Sequence, residues 1–239
     1  MSVTPYQSDK SKRDQVAEMF DNISHRYDFL NHFLSMGIDK IWRKKVVQLV
    51  QKQSPESILD IATGTADLAI ALSKTGAKKI DGIDISEGML SVGRKKITQK
   101  KLEGLITLQW GDSEAIPYPD NSFDAVTVAF GVRNFEHPIQ GLNEIYRVIK
   151  PGGKLYVLEF SQPQKFPVKQ LYQFYFKNIL PVWGRIVSKD HAAYTYLPES
   201  VQAFPYGDAF IQLMNQAHFK DNVCKPLSFG IASIYFGTK

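Results

Sequence analysis

From Ser57 onward the chain alternates short apolar runs of strand character with amphipathic segments of helical period. That alternation restricts the fold to βαβ units on a mostly parallel sheet with helices on both faces. Strands are expected at Ser57–Ile61, Lys79–Ile85, Leu105–Trp110, Ala125–Ala129 and Lys154–Phe160, with helices between them at Ala66–Lys74, Glu87–Gln99 and Pro138–Ile149. Pro151-Gly152-Gly153 supplies a terminator and a turn after the last of these. Phe219–Lys225 and Phe229–Phe236 read as a closing hairpin around a tight turn at Pro226. The stretch from Ser161 to His218 is too long for a simple crossover and is read as a helical insertion, with its later part, Tyr194–Pro205, richer in loop formers.

Before the first strand the pattern is purely helical. Val16, Met19, Phe20 and Ile23, then Tyr27, Leu30, Phe33 and Leu34, recur at helical spacing, and Ile38–Gln51 presents Trp42, Val46, Leu49 and Val50 on one face. Residues 1–53 therefore form a polar, mobile tail and a helical lid, and residues 54–239 the main domain with its insertion at about 161–218. At 239 residues, with 44% hydrophobic and 22% charged side chains, the chain is long enough for one substantial core and too apolar for a disordered one. Its single cysteine, Cys224, excludes an internal disulfide and a cysteine-rich zinc site, and no His/Cys cluster with metal-ligand spacing occurs, so no metal is expected. The five histidines are scattered and read as surface or packing residues. With no spanning run and no secretory pattern at the amino terminus, a soluble cytoplasmic protein is expected. The 29 basic residues against 24 acidic ones fit an anionic membrane surface as well as a nucleic acid. The basic triplets Arg43-Lys44-Lys45 and Arg94-Lys95-Lys96 read as solvated helix faces, and no basic stripe interleaved with stacking aromatics appears, so nucleic acid is not an expected partner.

The most informative segment is Ile58-Leu-Asp-Ile-Ala-Thr-Gly-Thr-Ala-Asp-Leu-Ala69, a buried strand, a small-residue turn and a helix start. Such a turn brings a nucleotide-like ligand against backbone N–H groups. The dinucleotide fingerprint G-x-G-x-x-G is incomplete, because only Gly64 is glycine. Asp60 at the strand mouth would repel a pyrophosphate and attract a sulfonium, which favours S-adenosylmethionine over NAD(P) and an oxidoreductase. Asp84 ends the second strand, where a carboxylate can accept both ribose hydroxyls, and Asp112-Ser113 follows the third, within reach of an adenine amino group. Singly, each acid could as well be a helix cap or a solvated loop residue. Together with Thr63 and Gly64 they make a cofactor site. Trp110 could pack on the adenine or in the sheet core.

These residues resemble the Rossmann-like, seven-stranded S-adenosylmethionine-dependent methyltransferases. Within that class, Tyr27-Asp-Phe-Leu-Asn31 with Leu34-Ser35 and Trp42 resembles the amino-terminal signature of the menaquinone and ubiquinone biosynthesis C-methyltransferases. Phe130-Gly-Val-Arg-Asn134, Arg147-Val-Ile-Lys-Pro-Gly-Gly-Lys-Leu155 running to Glu159 and Ser161, and Tyr194-x-Tyr196-Leu197-x-x-Ser200 are similar to that family's motifs, so the likeness spans nearly the whole chain from Val16. Asp39 stands where the family carries histidine, Leu30 where it carries methionine, and Tyr235 where relatives often have histidine.

The resemblance implies a prenylated quinol as methyl acceptor, either a naphthoquinol (demethylmenaquinol) or a benzoquinol-type ubiquinone precursor. A quinol becomes nucleophilic at the carbon beside a hydroxyl once that hydroxyl loses its proton, so the site must position two partners and assist one proton. Arg133 and Asn134, placed by topology at the carboxyl edge of the sheet, are expected to stabilise the phenolate and hold its oxygen or a water; the competing role for Arg133 is a loop-anchoring ion pair. Tyr27 is expected to close the site, the competing role being core packing. A non-catalytic scaffold is a further alternative, opposed by Arg133-Asn134. The insertion segment Phe166–Trp183 combines Phe166, Tyr172, Phe174, Tyr175, Phe176, Leu180 and Trp183 with Lys165, Lys169 and Lys177. That mixture fits peripheral contact with the inner membrane surface or shelter for a prenyl tail, as well as plain packing on the sheet.

Overall fold

A computed structural model of the chain describes residues 3–6, 8–35, 37–175, 178 and 191–239, with residues 26, 29–34 and 191–194 described by backbone alone. Seven strands form one sheet: β1 (Ser57–Ile61), β2 (Lys79–Asp84), β3 (Ile106–Trp110), β4 (Phe123–Ala129), β5 (Ile149–Phe160), β6 (Lys220–Leu227) and β7 (Ala232–Thr238). The order is β3-β2-β1-β4-β5-β7-β6, parallel from β3 to β5 and antiparallel at β7 and β6. Helices α1 (Lys12–Leu34) and α2 (Ile38–Gln51) precede the sheet, α3 (Asp67–Leu72), α4 (Glu87–Gln99) and α5 (Pro138–Val148) connect its strands, and α6 (Val168–Phe174), α7 (His191–Ala203) and α8 (Asp208–Gln216) fill the insertion.

Strand side chains alternate between two cores. Ile58 and Ile80 pack with Trp42, Val46, Leu68, Leu72 and Leu90 under α2, α3 and α4. Leu59, Ile61 and Ile83 share the other core with Leu142, Ile145, Phe210 and Met214 of α5 and α8. The period-2 alternation of each strand thus feeds both helical layers, which is why the runs read as almost continuously apolar.

Four details differ from the expectation. Pro226 is not a turn residue: it lies in β6 opposite Ser233, and the chain reverses at Ser228–Gly230, where Phe229 takes φ 59°. β6 is the sheet edge, where a missing N–H costs no ladder bond. β5 begins at Ile149, immediately after α5, and Lys150–Gly153 bulge out before pairing resumes at Lys154. Gly153 is required there, because a Cβ would lie 2.8 Å from the Asp124 carbonyl oxygen. Tyr194–Pro205 is mostly helix rather than loop: α7 contains Pro198 and is held by Tyr196, Ser200, Val201 and Phe204, all buried. The amino-terminal tail is not loose over its described part: the buried Gln15 side chain accepts from the Tyr6 N–H and donates to the Ser8 and Lys10 carbonyls, which folds the segment onto α1.

Candidate active site

The strand order reverses between β1 and β4, and at such a switch point the loops at the carboxyl ends diverge to leave a crevice. A cleft of about 660 Å³, its open mouth included, lies there. Ala62 and Gly64 come from β1, Asp84 and Ile85 from β2, Gly111–Glu114 from β3 and Ala129–Gly131 from β4, while α1 contributes Arg13, Val16, Phe20 and Tyr27. The turn after β1 has positive φ at Ala62, Gly64 and Ala66, a strained conformation for the two alanines that commonly marks a ligand-holding loop. Gly131 allows the β4 loop to meet that turn, since a Cβ there would fall 2.6 Å from the Ala62 Cβ.

Asp84 anchors this arrangement. Its Oδ2 accepts the Gly64 N–H at 2.8 Å and its Oδ1 the Ser86 N–H at 2.9 Å. Burial pushes its pKa up to about 6 against those two bonds. Asp112, also on the cleft, accepts from Arg13 at 3.2 Å and from the Glu114 N–H at 2.9 Å. Ser113 and Asn134 line the same space.

Asp60 and Thr63 are placed differently from the expectation. Neither lines the cleft: Asp60 is 1% exposed and accepts the hydroxyls of Thr63 at 2.7 Å and Thr127 at 2.6 Å. Through these two hydroxyls Asp60 braces the turn after β1 from below the cleft. Burial raises its pKa to about 6. For both acids the folded value exceeds the unfolded one, so their contribution to ligand-free stability is full below about pH 3.8 and is lost as pH rises through 6.

A second compartment, of about 570 Å³ with its open mouth included, adjoins the first and shares Phe20, Tyr27 and Phe130 with it. Arg133 lines this compartment and pairs with Glu159 at 2.8 Å, both side chains being almost fully buried. Arg133 thus makes the loop-anchoring ion pair and also borders the second compartment. Burial raises the Glu159 pKa, and Arg133 opposes the shift. Asn134 receives the Tyr196 hydroxyl on its Oδ1 at 3.0 Å, which ties the insertion to the β4 loop.

The lid is tied down through residues that pattern reading passed over. Asp21 of α1 accepts from the Ser86 hydroxyl at 2.6 Å and the Gly88 N–H at 2.9 Å, at the start of α4. Asp28 accepts from Thr65 and from Lys96. Lys96 and Arg43 belonged to triplets read as solvated faces; both instead turn inward, Lys96 to Asp28 and Asp67, and Arg43 to Asp39. The Asp39–Arg43 spacing of four on one helix was the available signal. Trp110 is 56% exposed, which removes it from the core, and its Nε1–H donates to the Ile85 carbonyl. Among the described residues no group of three His, Cys, Asp or Glu side chains could hold a metal ion. The side chains of Leu30, Asn31, Phe33, Leu34 and Tyr194, and residues Phe176, Lys177, Leu180 and Trp183, lie outside the described set.

This fold is that of the S-adenosylmethionine-dependent methyltransferases. A putative enzyme of that class from Methanococcus maripaludis superposes with a TM-score of 0.61 at 20% identity, covering 98% of this chain and 96% of that one. Residues 8–239 match the model of the ubiE/COQ5 methyltransferase family, and the chain belongs to that family. It is 44% identical to a Bacteroides fragilis protein named demethylmenaquinone methyltransferase, over 99% of this chain and 97% of the relative. It is 43% identical to a Geobacter sulfurreducens protein named ubiquinone/menaquinone biosynthesis C-methyltransferase UbiE, over 95% and 90%. Family membership makes the chain a methyltransferase and sets the oxidoreductase alternative aside.

Proposed function

We propose that the chain transfers the methyl group of S-adenosylmethionine to a ring carbon of a prenylated quinol, converting demethylmenaquinol to menaquinol. The observation that carries this reading is the shared wall: an acid-lined cleft and an aromatic, arginine-bearing compartment meet at Phe20, Tyr27 and Phe130. The names of the two relatives support the naphthoquinol ring, and one of them includes the benzoquinol ring as well. S-Adenosylmethionine supplies an electrophilic methyl group on a sulfonium. Asp84 is assigned to its ribose hydroxyls, Asp112 and Ser113 to its adenine, Ile85 and Met89 to the apolar flanks and the Gly64 turn to close backbone approach. Asp60 and Thr63 hold that turn in shape.

On the acceptor side, Arg133 stabilises the phenolate that makes the neighbouring carbon nucleophilic, and Asn134 orients its oxygen or a water. Tyr27 borders both compartments and offers its hydroxyl to the relay that takes the ring proton to solvent. The test is anaerobic turnover on reduced demethylmenaquinol and on the reduced benzoquinol precursor side by side, with the naphthoquinol expected to be the better substrate. No methyl transfer to either ring would overturn the reading.

Because Asp84 must be ionised to accept two hydroxyls, cofactor affinity is expected to fall with acidification. A free-state pKa of about 6 gives roughly tenfold weaker binding at pH 5 than at pH 7. Calorimetry across that range checks this, and a flat profile would remove Asp84 from the ribose.

The quinol tail belongs in a bilayer, yet no helix of the described residues is long and apolar enough to cross one. α6 has no buried residue; Phe166, Leu171 and Phe174 are exposed beside Lys165 and Lys169. We assign this face to reversible peripheral contact at the cytoplasmic membrane surface, each lysine contributing about 1 kcal/mol near anionic headgroups. Sedimentation with anionic vesicles is expected at low salt, weakened at high salt and in the variant carrying serine at 166, 171 and 174. Equal sedimentation of that variant, or none of the parent, would contradict it.

A further inference from the structure

Two guanidinium groups, Arg133 and Arg43, line the compartment beyond the shared wall. Arg133 pairs with Glu159 and lies 5.5 Å from the Phe160 ring centroid; Arg43 pairs with Asp39 and lies 5.8 Å from the Phe130 centroid. The two rings are 4.7 Å apart, so each cation rests against one member of an aromatic pair. Both side chains are buried, to 6% and 10% exposure respectively. Each has a buried Nε–H with no acceptor among the described residues. A buried donor without a partner is costly and rare, and both belong to guanidinium groups that line one compartment, which makes the pair a candidate for holding two oxygens of one ligand.

The Asp39–Arg43 pair is built to hold its donor still. Asp39 is buried, accepts the Ser35 hydroxyl at 2.7 Å and sits one helical turn before Arg43 on α2. Its charge, with that of Asp67 at 3.9 Å, keeps the guanidinium compensated, and Met19, Phe20, Ile23 and Leu197 give the compartment apolar walls beside Tyr27 and Tyr196.

We infer that Arg43 is a second oxygen ligand of the acceptor pocket: it donates to the ring oxygen para to the one held by Arg133, and so selects 1,4-dihydroxy rings over rings with one hydroxyl. This rests on the quinol reading above. It assigns recognition of the distal oxygen to α2, an element that contributes nothing to the cofactor cleft.

The test uses two soluble probes with a single isoprene unit: 2-prenyl-1,4-naphthalenediol kept reduced, and 3-prenyl-1-naphthol, which lacks the distal hydroxyl. For the parent enzyme kcat/KM is expected to favour the diol by about ten- to a hundredfold, the range of one charge-assisted hydrogen bond. Arg43→Gln and Arg43→Lys should bring that ratio close to one, chiefly through a raised KM on the diol, with calorimetric cofactor affinity within a few-fold of the parent. The lysine variant retains a cation for Asp39 and guards against a simple folding defect. A parent enzyme that does not discriminate, variants that keep the ratio, or equal losses on both probes would each overturn the assignment while leaving the quinol reading intact. A parent enzyme that binds cofactor but methylates neither probe nor demethylmenaquinol overturns both.

Discussion

Replacing Asp84 with alanine is expected to weaken S-adenosylmethionine binding by a factor of about 10² to 10⁴. Two hydrogen bonds from ribose hydroxyls to a charged acceptor are lost, at ~1.5–3 kcal/mol each. The effect has a second source in the protein itself. Asp84 also receives the Gly64 and Ser86 N–H groups, so its removal frees the turn after β1 and the start of α4, and with it the α1 contact from Asp21 to Ser86. Asp84→Asn keeps an acceptor but not the charge, and should retain part of the affinity while losing the pH dependence below 6. Calorimetry on both variants measures this directly, and alanine binding within threefold of the parent would contradict the assignment.

Arg133→Ala is expected to separate the two substrates. Cofactor affinity should stay within a few-fold, because Arg133 lines the acceptor compartment and not the cofactor cleft. The rate constant for methyl transfer should fall by about a hundredfold or more, the size of loss seen when a preorganised donor to a developing oxyanion is removed. The same change strips the only described ion-pair partner from Glu159, which is 0% exposed. Breaking a buried pair on one side costs ~3–5 kcal/mol, so the melting temperature should drop as well. Because Glu159 is already raised toward its neutral form, Arg133→Ala combined with Glu159→Gln should recover much of the stability and none of the rate. Recovery of both would reduce Arg133 to a loop anchor.

Much of the frame was legible in the residues alone. The bounds expected for β1, α2 and α4 coincide with those observed, because each is a strongly periodic segment with clear stops. What escaped was context. Pro226 reads as a turn unless the strand is known to be an edge, and α7 reads as loop until Tyr196 and Val201 are seen to be buried. In the site, Asp84, Asp112, Ser113 and Gly64 stand on the cleft where strand ends placed them. Asp60 does not, because position along a strand cannot tell a carboxylate at the mouth from one turned to Thr63 and Thr127. Arg43 and Lys96 escaped for the opposite reason: basic triplets read as solvent faces, and only the packing of α1 and α2 shows the acids that receive them.

The central claim is methyl transfer to carbon on a quinol ring, and labelled donor tests it most directly. Parent enzyme would be incubated anaerobically with trideuteriomethyl S-adenosylmethionine and reduced demethylmenaquinol, and the product examined by mass spectrometry and proton NMR. The account predicts one trideuteriomethyl group per ring, on the carbon beside a hydroxyl, with one equivalent of S-adenosylhomocysteine formed and both hydroxyls still free. Label on a ring oxygen, or cofactor turnover without any label on the ring, would contradict it.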